Sequence, residues 1–369
     1  MQTASQPDSV STRLATVIHK AIAANGGWLP FDRFMALALY APGLGYYANG
    51  SAKFGAMPSS GSDFVTAPEM SPLFGRALAV QVAEALRQSH THTVIEFGAG
   101  TGALAEQLLD ALAADVAYRI VDLSGELRAR QQLRLARFGD RVRWLDELPE
   151  HIEGVVVGNE VLDAMPVQLL HFDGAQWFER GVVSDGEPGG VGFNWRDHPT
   201  ALRPPVDAAF VPDTLTEIHP QAQAWTDTLT RRLQRGVALL IDYGFPEAEY
   251  YLPQRRTGTL MCHRAHLADT DPLSDVGLKD ITAHVDFTGI ALAAQEAGAE
   301  VLGYTSQGRF LINCGIAAMM QAAALPEQAM AQRLITEHEM GELFKVLAFA
   351  RGCSFEPLGF AAGDRSHRL

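Results

Sequence analysis

Three cysteines stand in 369 residues, Cys262, Cys314 and Cys353, far apart and without a CxxC pair. That spacing argues against a disulfide framework and predicts reduced, mostly buried thiols. No apolar run reaches the length of a membrane span. The opening MQTASQPDSV is polar, carries Asp8, and has neither an arginine nor an apolar core. Neither a secretory signal nor a transit peptide is expected, so the expected location is cytoplasmic, with the mitochondrial matrix in play only for a eukaryotic source. Positive charge is also short: 29 Lys and Arg face 43 Asp and Glu, a formal net charge of −14. A general nucleic-acid binder is therefore not expected, although a local basic groove is not excluded. An acidic surface would suit a basic protein substrate, and solubility alone is the simpler reading. There is no internal repeat and no low-complexity tract.

What is present is an ordinary globular composition, 47% hydrophobic and 20% charged, enough to bury a large core. The length suits two or three domains, or one with large insertions. Residues 11–40 read as two helices, the first stopped by Gly26-Gly27. Ser71-Pro72 reads as a cap and first-turn proline opening a helix to about Gln88. From residue 92 strands alternate with helices: HTVIEF, AYRIVDLS, VRWLDEL and GVVVGNE, then GVALLIDYG from residue 236. Such alternation indicates a parallel sheet covered by helices on both faces. VQLLHFDGAQWFERGVVSDGEPGGVGF alternates around Asp173-Gly174 and predicts inserted antiparallel hairpins. EVLGYTSQ and RFLINCG predict an edge hairpin turning at Gly308, with a helical tail after residue 315. The expected segments are a helical N-terminal or lid segment (1–90), a Rossmann-like core (91–166 and 216–315), a hairpin insertion (167–215) and a helical C-terminal segment (316–369).

Chemistry gathers first at Glu96-Phe97-Gly98-Ala99-Gly100-Thr101-Gly102. Glycines between a strand and a helix let the backbone turn sharply and approach a ligand. With Ala103 in the last place the spacing also passes as a dinucleotide motif. Two features favour S-adenosylmethionine instead. Glu96 precedes the first glycine, where a carboxylate can hold a cationic ammonium but would repel a pyrophosphate. No second nucleotide-binding half follows. Asp122 ends the next strand, placed to accept hydrogen bonds from both ribose hydroxyls. Asp146, after the third strand, is a candidate for the adenine amino group, or a solvated loop acid.

The second informative segment is GVVVGNEVLDAMPV. Asn159, Glu160 and Asp163 follow the fourth strand, at an edge that faces both methyl donor and acceptor in this kind of fold. Carboxylates there suit an arginine acceptor, whose guanidinium is always protonated and binds carboxylates as a fork. Glu160 is the leading catalytic candidate, and Asp163 serves equally well as a helix or turn cap.

Read together, YAPGLGYYANG, GSDFVTAPEMSPLFGR, VIEFGAGTGALAEQLL, GNEVLDAMPV, LIDYG, ITAHVDF and SQGRFL resemble, in order, the blocks of the MidA family of S-adenosylmethionine-dependent methyltransferases. The resemblance implies a class I α/β methyltransferase fold with a seven-stranded, mostly parallel sheet, helices on both faces, a helical N-terminal segment and inserted hairpins. It implies Glu96, Gly98 and Gly100 in the cofactor site, with Ala99, Gly102, Asp122, Leu123, Asp146 and Asn159 beside them. It implies Asn159, Glu160 and Asp163 facing the acceptor. Mitochondrial members are complex I assembly factors that dimethylate an arginine of a core subunit. Asp122-Leu123-Ser124 departs from the family, where glutamate is expected, but keeps an acid for the ribose.

Secondary candidates for substrate or lid are Tyr46, Tyr47, Asp63, Thr66, Glu69, Asp242 and His284. Five of these have a plainer role available: packing for the tyrosines, helix entry for Glu69 and for His284 with Asp286, a turn for Asp242-Tyr243-Gly244. Cys262, His263 and His266 lack a fourth ligand at suitable spacing, so no metal is expected. The stripe Leu73, Phe74, Ala77, Leu78, Val82, Leu86 reads as core, or as packing in a homodimer. The leading expectation is a protein arginine N-methyltransferase acting on a complex I type subunit. The alternatives are a cofactor-binding assembly factor or chaperone with little catalysis, and a small-molecule or RNA methyltransferase.

Overall fold

The strand–helix alternation does build a parallel sheet. The computed structural model describes residues 6–49, 65–122, 125–185, 192–264 and 267–369. Asp63, Leu123 and His266 lie outside the described residues. The chain divides into two units: residues 54–162, 223–246 and 285–369 form one, and residues 1–53, 163–222 and 247–284 the other.

The first unit is organised by its sheet. Its strands are β1 (Thr93–Phe97), β2 (Ala117–Val121), β3 (Val142–Leu145), β4 (Ile152–Asn159), β5 (Leu233–Phe245), β6 (Glu300–Ser306) and β7 (Phe344–Arg351). They lie in the order β6-β7-β5-β4-β1-β2-β3, and a short strand, Val285–Asp286, pairs in parallel with the end of β5 as an eighth member. Strands β3, β2, β1, β4 and β5 run parallel, and β7 is antiparallel to both its neighbours. Central strands read as continuous apolar runs because both faces are covered. Val155, Val156 and Val157 of β4 are fully buried, as are Ala238 and Leu239 of β5.

The helix Pro72–Ser89 starts as its sequence demands, with the Ser71 hydroxyl accepting from the Leu73 N–H and proline in the first turn. Its stripe of Leu73, Phe74, Ala77, Leu78, Val82 and Leu86 lies in this unit's hydrophobic core. Cys262 and Cys314 are buried and Cys353 is half-buried; all three are free. Burial pushes the Cys262 and Cys314 thiols up to about 12, which keeps them protonated and unreactive.

The end of the chain departs from the expected hairpin. EVLGYTS forms β6, but Gln307–Asn313 is a helix, followed by the helices Ile316–Ala322 and Leu325–Ile335. The partner strand comes later, as β7, inside the tail read as helical. Gly308 is no turn: a Cβ there would sit 2.8 Å from the Ile335 carbonyl oxygen, so the glycine admits a close backbone approach. FKVLAFAR inserts between β5 and β6 and is buried along nearly its whole length.

The second unit is mainly antiparallel. Strand Trp177–Ser184 is its centre, pairing with Gln168–Phe172, Phe193–Pro199 and Leu29–Pro30. Thr214–Ile218 completes this sheet against Gln168–Phe172. The Asp173 carboxylate accepts from the Ala175 and Gln176 N–H groups, both at 2.8 Å, which explains the hairpin at Asp173-Gly174. A smaller sheet places Met261–Arg264 between Leu267–Asp269 and Asp280–Thr282. No described helix is long and apolar enough to cross a membrane.

Leu239 is fully buried in the middle of β5. Its truncation to alanine removes packing on a sheet that cannot collapse around the gap. Leu239→Ala is expected to cost about 2–5 kcal/mol, seen as a lower urea midpoint at unchanged slope.

Candidate functional site

Register fixes which residues meet. Phe97 at the end of β1 lies opposite Val121 of β2 and Gly158 of β4. Val121 lies opposite Leu145 of β3, and Asn159 opposite Ile241 of β5. The next residues along these parallel strands are Asp146, Asp122, Gly98, Glu160 and Asp242. Five positions singled out from sequence thus stand along one carboxyl edge of one sheet, where open α/β sheets take ligands.

The glycine turn leaves β1 at Gly98, whose N–H donates to the Val121 carbonyl at 3.0 Å. Gly98, Gly100 and Gly102 have φ of 61°, 53° and 83°. Only glycine holds this left-handed region at three alternate positions without strain. A Cβ on Gly98 would approach the Val161 side chain to 3.3 Å, whereas one on Gly100 would meet nothing within 4 Å among the described residues. The turn is braced from behind by Glu69. Its carboxylate accepts from the Thr101 hydroxyl and pairs with Arg134 at 3.0 Å, and Arg134 also pairs with Glu106 at 3.0 Å. Thr66 stands at the N-cap of the short helix Ala67–Met70 that carries Glu69.

Glu96 is 2% exposed, and the Tyr118 hydroxyl donates to its Oε2 at 2.8 Å. Burial raises its pKa to about 8; the Tyr118 hydrogen bond opposes the shift, and the charge of Asp122 adds to it. The shift favours the neutral carboxyl. A cation or hydrogen-bond donors brought to it favour the ionised form again.

At the end of β4, the Asn159 amide donates to Glu160 Oε1 at 3.0 Å. Asn159 Oδ1 is buried with no hydrogen-bond partner among the described residues. Glu160 has φ of 55°, uncommon for a side chain of this size. Three hydrogen bonds hold that conformation. The Glu160 N–H donates to the Ile241 carbonyl at 2.9 Å. The carboxylate of Asp242, 1% exposed, accepts from the N–H groups of Val161 at 3.1 Å and Leu162 at 2.9 Å. Its other oxygen takes the Tyr243 N–H at 2.9 Å. Asp242 is thus a clamp on the Glu160 turn.

Asp122 is half-buried at the β2 terminus and accepts from Gln131 at 2.8 Å. The Asp146 side chain is 88% exposed and pairs with Arg128 at 2.7 Å. Asp286 caps the helix Phe287–Glu296 by accepting from the Gly289 N–H.

The other candidates lie in the second unit. Tyr46 is buried, and the Tyr47 hydroxyl donates to the Asp280 carboxylate at 2.9 Å. Tyr47 stacks on Tyr40 with ring centres 5.5 Å apart, and the Tyr40 hydroxyl donates to the Ala164 carbonyl at 2.8 Å. Burial first, then the charges of Asp280 and Asp163, keep the Tyr40 hydroxyl protonated. Asp163 is 5% exposed, and its carbonyl accepts from the Ala283 N–H at 2.9 Å. The His284 N–H donates to the Thr259 hydroxyl at 3.0 Å. Thr259 belongs to a buried polar group with Glu217, Tyr250 and His219. Among the described residues no group of His, Cys, Asp and Glu is arranged to hold a metal.

Sequence reading passed over Tyr118, Gln131, Tyr40 and Asp280. Tyr118 carried a signal, a tyrosine on the inward face of a strand whose hydroxyl needs a partner. The other three depend on partners distant in sequence.

The edge fits S-adenosylmethionine on its own terms: among the described residues nothing crowds Gly100, the buried Asn159 Oδ1 has no hydrogen-bond partner, and the acids Glu96 and Asp122 stand at the ends of adjacent strands. Comparison with known proteins agrees. Residues 77–305 match a family model of S-adenosyl-L-methionine-dependent methyltransferases. A solved structure from Burkholderia thailandensis bound to S-adenosyl-homocysteine is 50% identical over 100% of both chains, with a TM-score of 0.94. Curated relatives named protein arginine methyltransferase NDUFAF7 homolog, mitochondrial, are 27% identical: one from Caenorhabditis elegans (79% of this chain, 74% of its own) and one from Drosophila melanogaster (95% and 88%).

Two variants probe the edge. Below the ordinary carboxyl value of 4.5 both folded and unfolded chains hold the Glu96 proton, so the site carries no penalty. As pH rises toward about 8 the unfolded chain ionises first, and stability falls across that window. Glu96→Gln should therefore raise the melting temperature at pH 8, leave it unchanged near pH 4.5, and weaken S-adenosylhomocysteine binding in calorimetry. Asp242→Ala removes the carboxylate that accepts from three backbone N–H groups and should cost about 1–3 kcal/mol or more in urea melts. It should reduce turnover much more than affinity for S-adenosylhomocysteine, because the turn it clamps carries Glu160. S-adenosylhomocysteine is the ligand for both measurements because the chain belongs to the S-adenosyl-L-methionine-dependent methyltransferases, the family whose model spans more than half of it.

Proposed function

We propose that this methyltransferase is a protein arginine N-methyltransferase that modifies a respiratory complex I type subunit. The observation that carries the reading is the Glu160 carboxylate, held against Asn159 on a turn that Asp242 clamps. A guanidinium is permanently cationic and presents a planar fork of donors. A fixed carboxylate grips that fork, aims one nitrogen, and can take the proton that the nitrogen sheds on methylation. S-adenosylmethionine supplies an electrophilic methyl group. The protein's own contribution is orientation and charge: Asn159 Nδ2 sets the carboxylate plane, and the Asp242 clamp sets the backbone beneath it. The relatives' name supports arginine as the acceptor. The MidA-like order of the sequence blocks supports a complex I type subunit. The net charge of −14 favours a basic protein over RNA.

The test incubates the purified protein with labelled S-adenosylmethionine and lysate from a strain lacking its gene. Label is expected in one protein band that hydrolyses to methylarginine. Glu160→Gln should lower that label by about 100-fold or more while S-adenosylhomocysteine affinity stays within roughly threefold. Label confined to RNA or small molecules overturns the reading. Tight cofactor binding without label in any fraction would favour an assembly factor instead.

A further inference from the structure

Gln131 lies on the helix Gly125–Leu135 and is fully buried. Its side chain makes three hydrogen bonds, each to a different strand end. Nε2 donates to the Gly100 carbonyl at 2.9 Å and to Asp122 Oδ2 at 2.8 Å. Oε1 accepts from the Trp144 indole at 2.8 Å. The partners fix the orientation of the amide. A backbone carbonyl and a carboxylate only accept, and an indole N–H only donates, so the other amide rotamer would break all three bonds. The stem packs on the turn as well, since a Cβ on Gly102 would lie 3.5 Å from Gln131 Cγ. One buried amide thus ties the glycine turn after β1 to the acid after β2 and the indole of β3.

We propose that Gln131 is a positioning residue for ribose recognition: its amide holds one oxygen of Asp122 so that the carboxylate presents a fixed edge to the cofactor's ribose hydroxyls. The proposal rests on the reading of Asp122 as the ribose acceptor. Two consequences distinguish it from simple packing. Methionine fills similar space and keeps the apolar stem, but cannot orient Asp122. Glutamate keeps the shape but sets a second carboxyl against the Asp122 carboxylate and the Gly100 carbonyl.

The experiment measures binding of S-adenosylhomocysteine and of its 2′,3′-dideoxy analogue by calorimetry, on the full chain, with thermal melts to confirm folding. Wild type should prefer the natural ligand by about tenfold or more, the scale of a hydrogen bond to a charged group. Gln131→Met should lose about tenfold for S-adenosylhomocysteine and less than about twofold for the dideoxy analogue, so the preference collapses. Gln131→Glu should lose more than Gln131→Met. Trp144→Phe removes the indole N–H that orients the amide, together with one ring of the indole, and should give a smaller loss, roughly threefold, with the same ribose signature. It keeps the test open if the Gln131 variants fold poorly. In an Asp122→Asn background Gln131→Met should have little further effect on S-adenosylhomocysteine. Equal losses for both ligands would overturn the positioning role and leave the Asp122 reading intact. A wild-type protein that binds both ligands alike overturns both.

Discussion

The parallel register of five neighbouring strands is the constraint on which the functional edge depends. Because β3, β2, β1, β4 and β5 run the same way and end level, residues from five distant stretches arrive side by side. A slip of one residue in any strand would turn its terminal acid to the other face. Continuous burial of β4 and β5 makes such a slip costly, since both faces of each strand are packed. The hydrophobic effect that stabilises the centre of the sheet thereby sets the geometry at its edge.

That edge gathers acids, and each is held in its own way. Asp242 accepts from three backbone N–H groups and shapes the turn that carries Glu160. Asp122 takes the Gln131 amide. Glu96 is buried with a tyrosine hydroxyl, an arrangement that leaves its ionised form undersatisfied until a ligand brings charge or donors. Such burial costs stability as pH rises, and a cation placed beside the carboxyl would offset that cost. A dinucleotide pyrophosphate brought against Glu96 would meet either a repelling charge or a neutral acid. The glycine turn admits both ligand classes, and in the proposed site an ionised Glu96 would favour the cationic one.

Local signals made the glycine turn, the strand–helix alternation and the Asp173-Gly174 hairpin legible, because each is set by neighbours in sequence. The end of the sheet was not legible. FKVLAFAR carries no alternation, since β7 is covered on both faces, and a short apolar run of that kind reads equally well as helix. RFLINC drew the strand reading because it follows β6 directly, yet Phe310 and Leu311 are buried on a helical turn. Gln131 was invisible for another reason. Its partners lie 31, 9 and 13 positions away, and only the register of three strands brings them within reach of one amide. Asp242 was read as facing substrate because its strand-end position was legible, while its commitment to the Glu160 turn was not.

Glu160 gives the clearest link from strain to role. A glutamate at φ of 55° costs on the order of 1 kcal/mol or more relative to glycine there. Sheet geometry alone would favour glycine or asparagine at this sharp exit from β4. The chain instead keeps a long carboxylate and surrounds its backbone with fixed partners: the Ile241 carbonyl on one side, and Asp242 on the next two N–H groups. The clamp would be redundant under a relaxed turn, and the carboxylate would be dispensable on a purely structural one. Strain, clamp and side chain together hold one carboxylate in one position, and the proposed transfer to an oriented, cationic acceptor would use that arrangement.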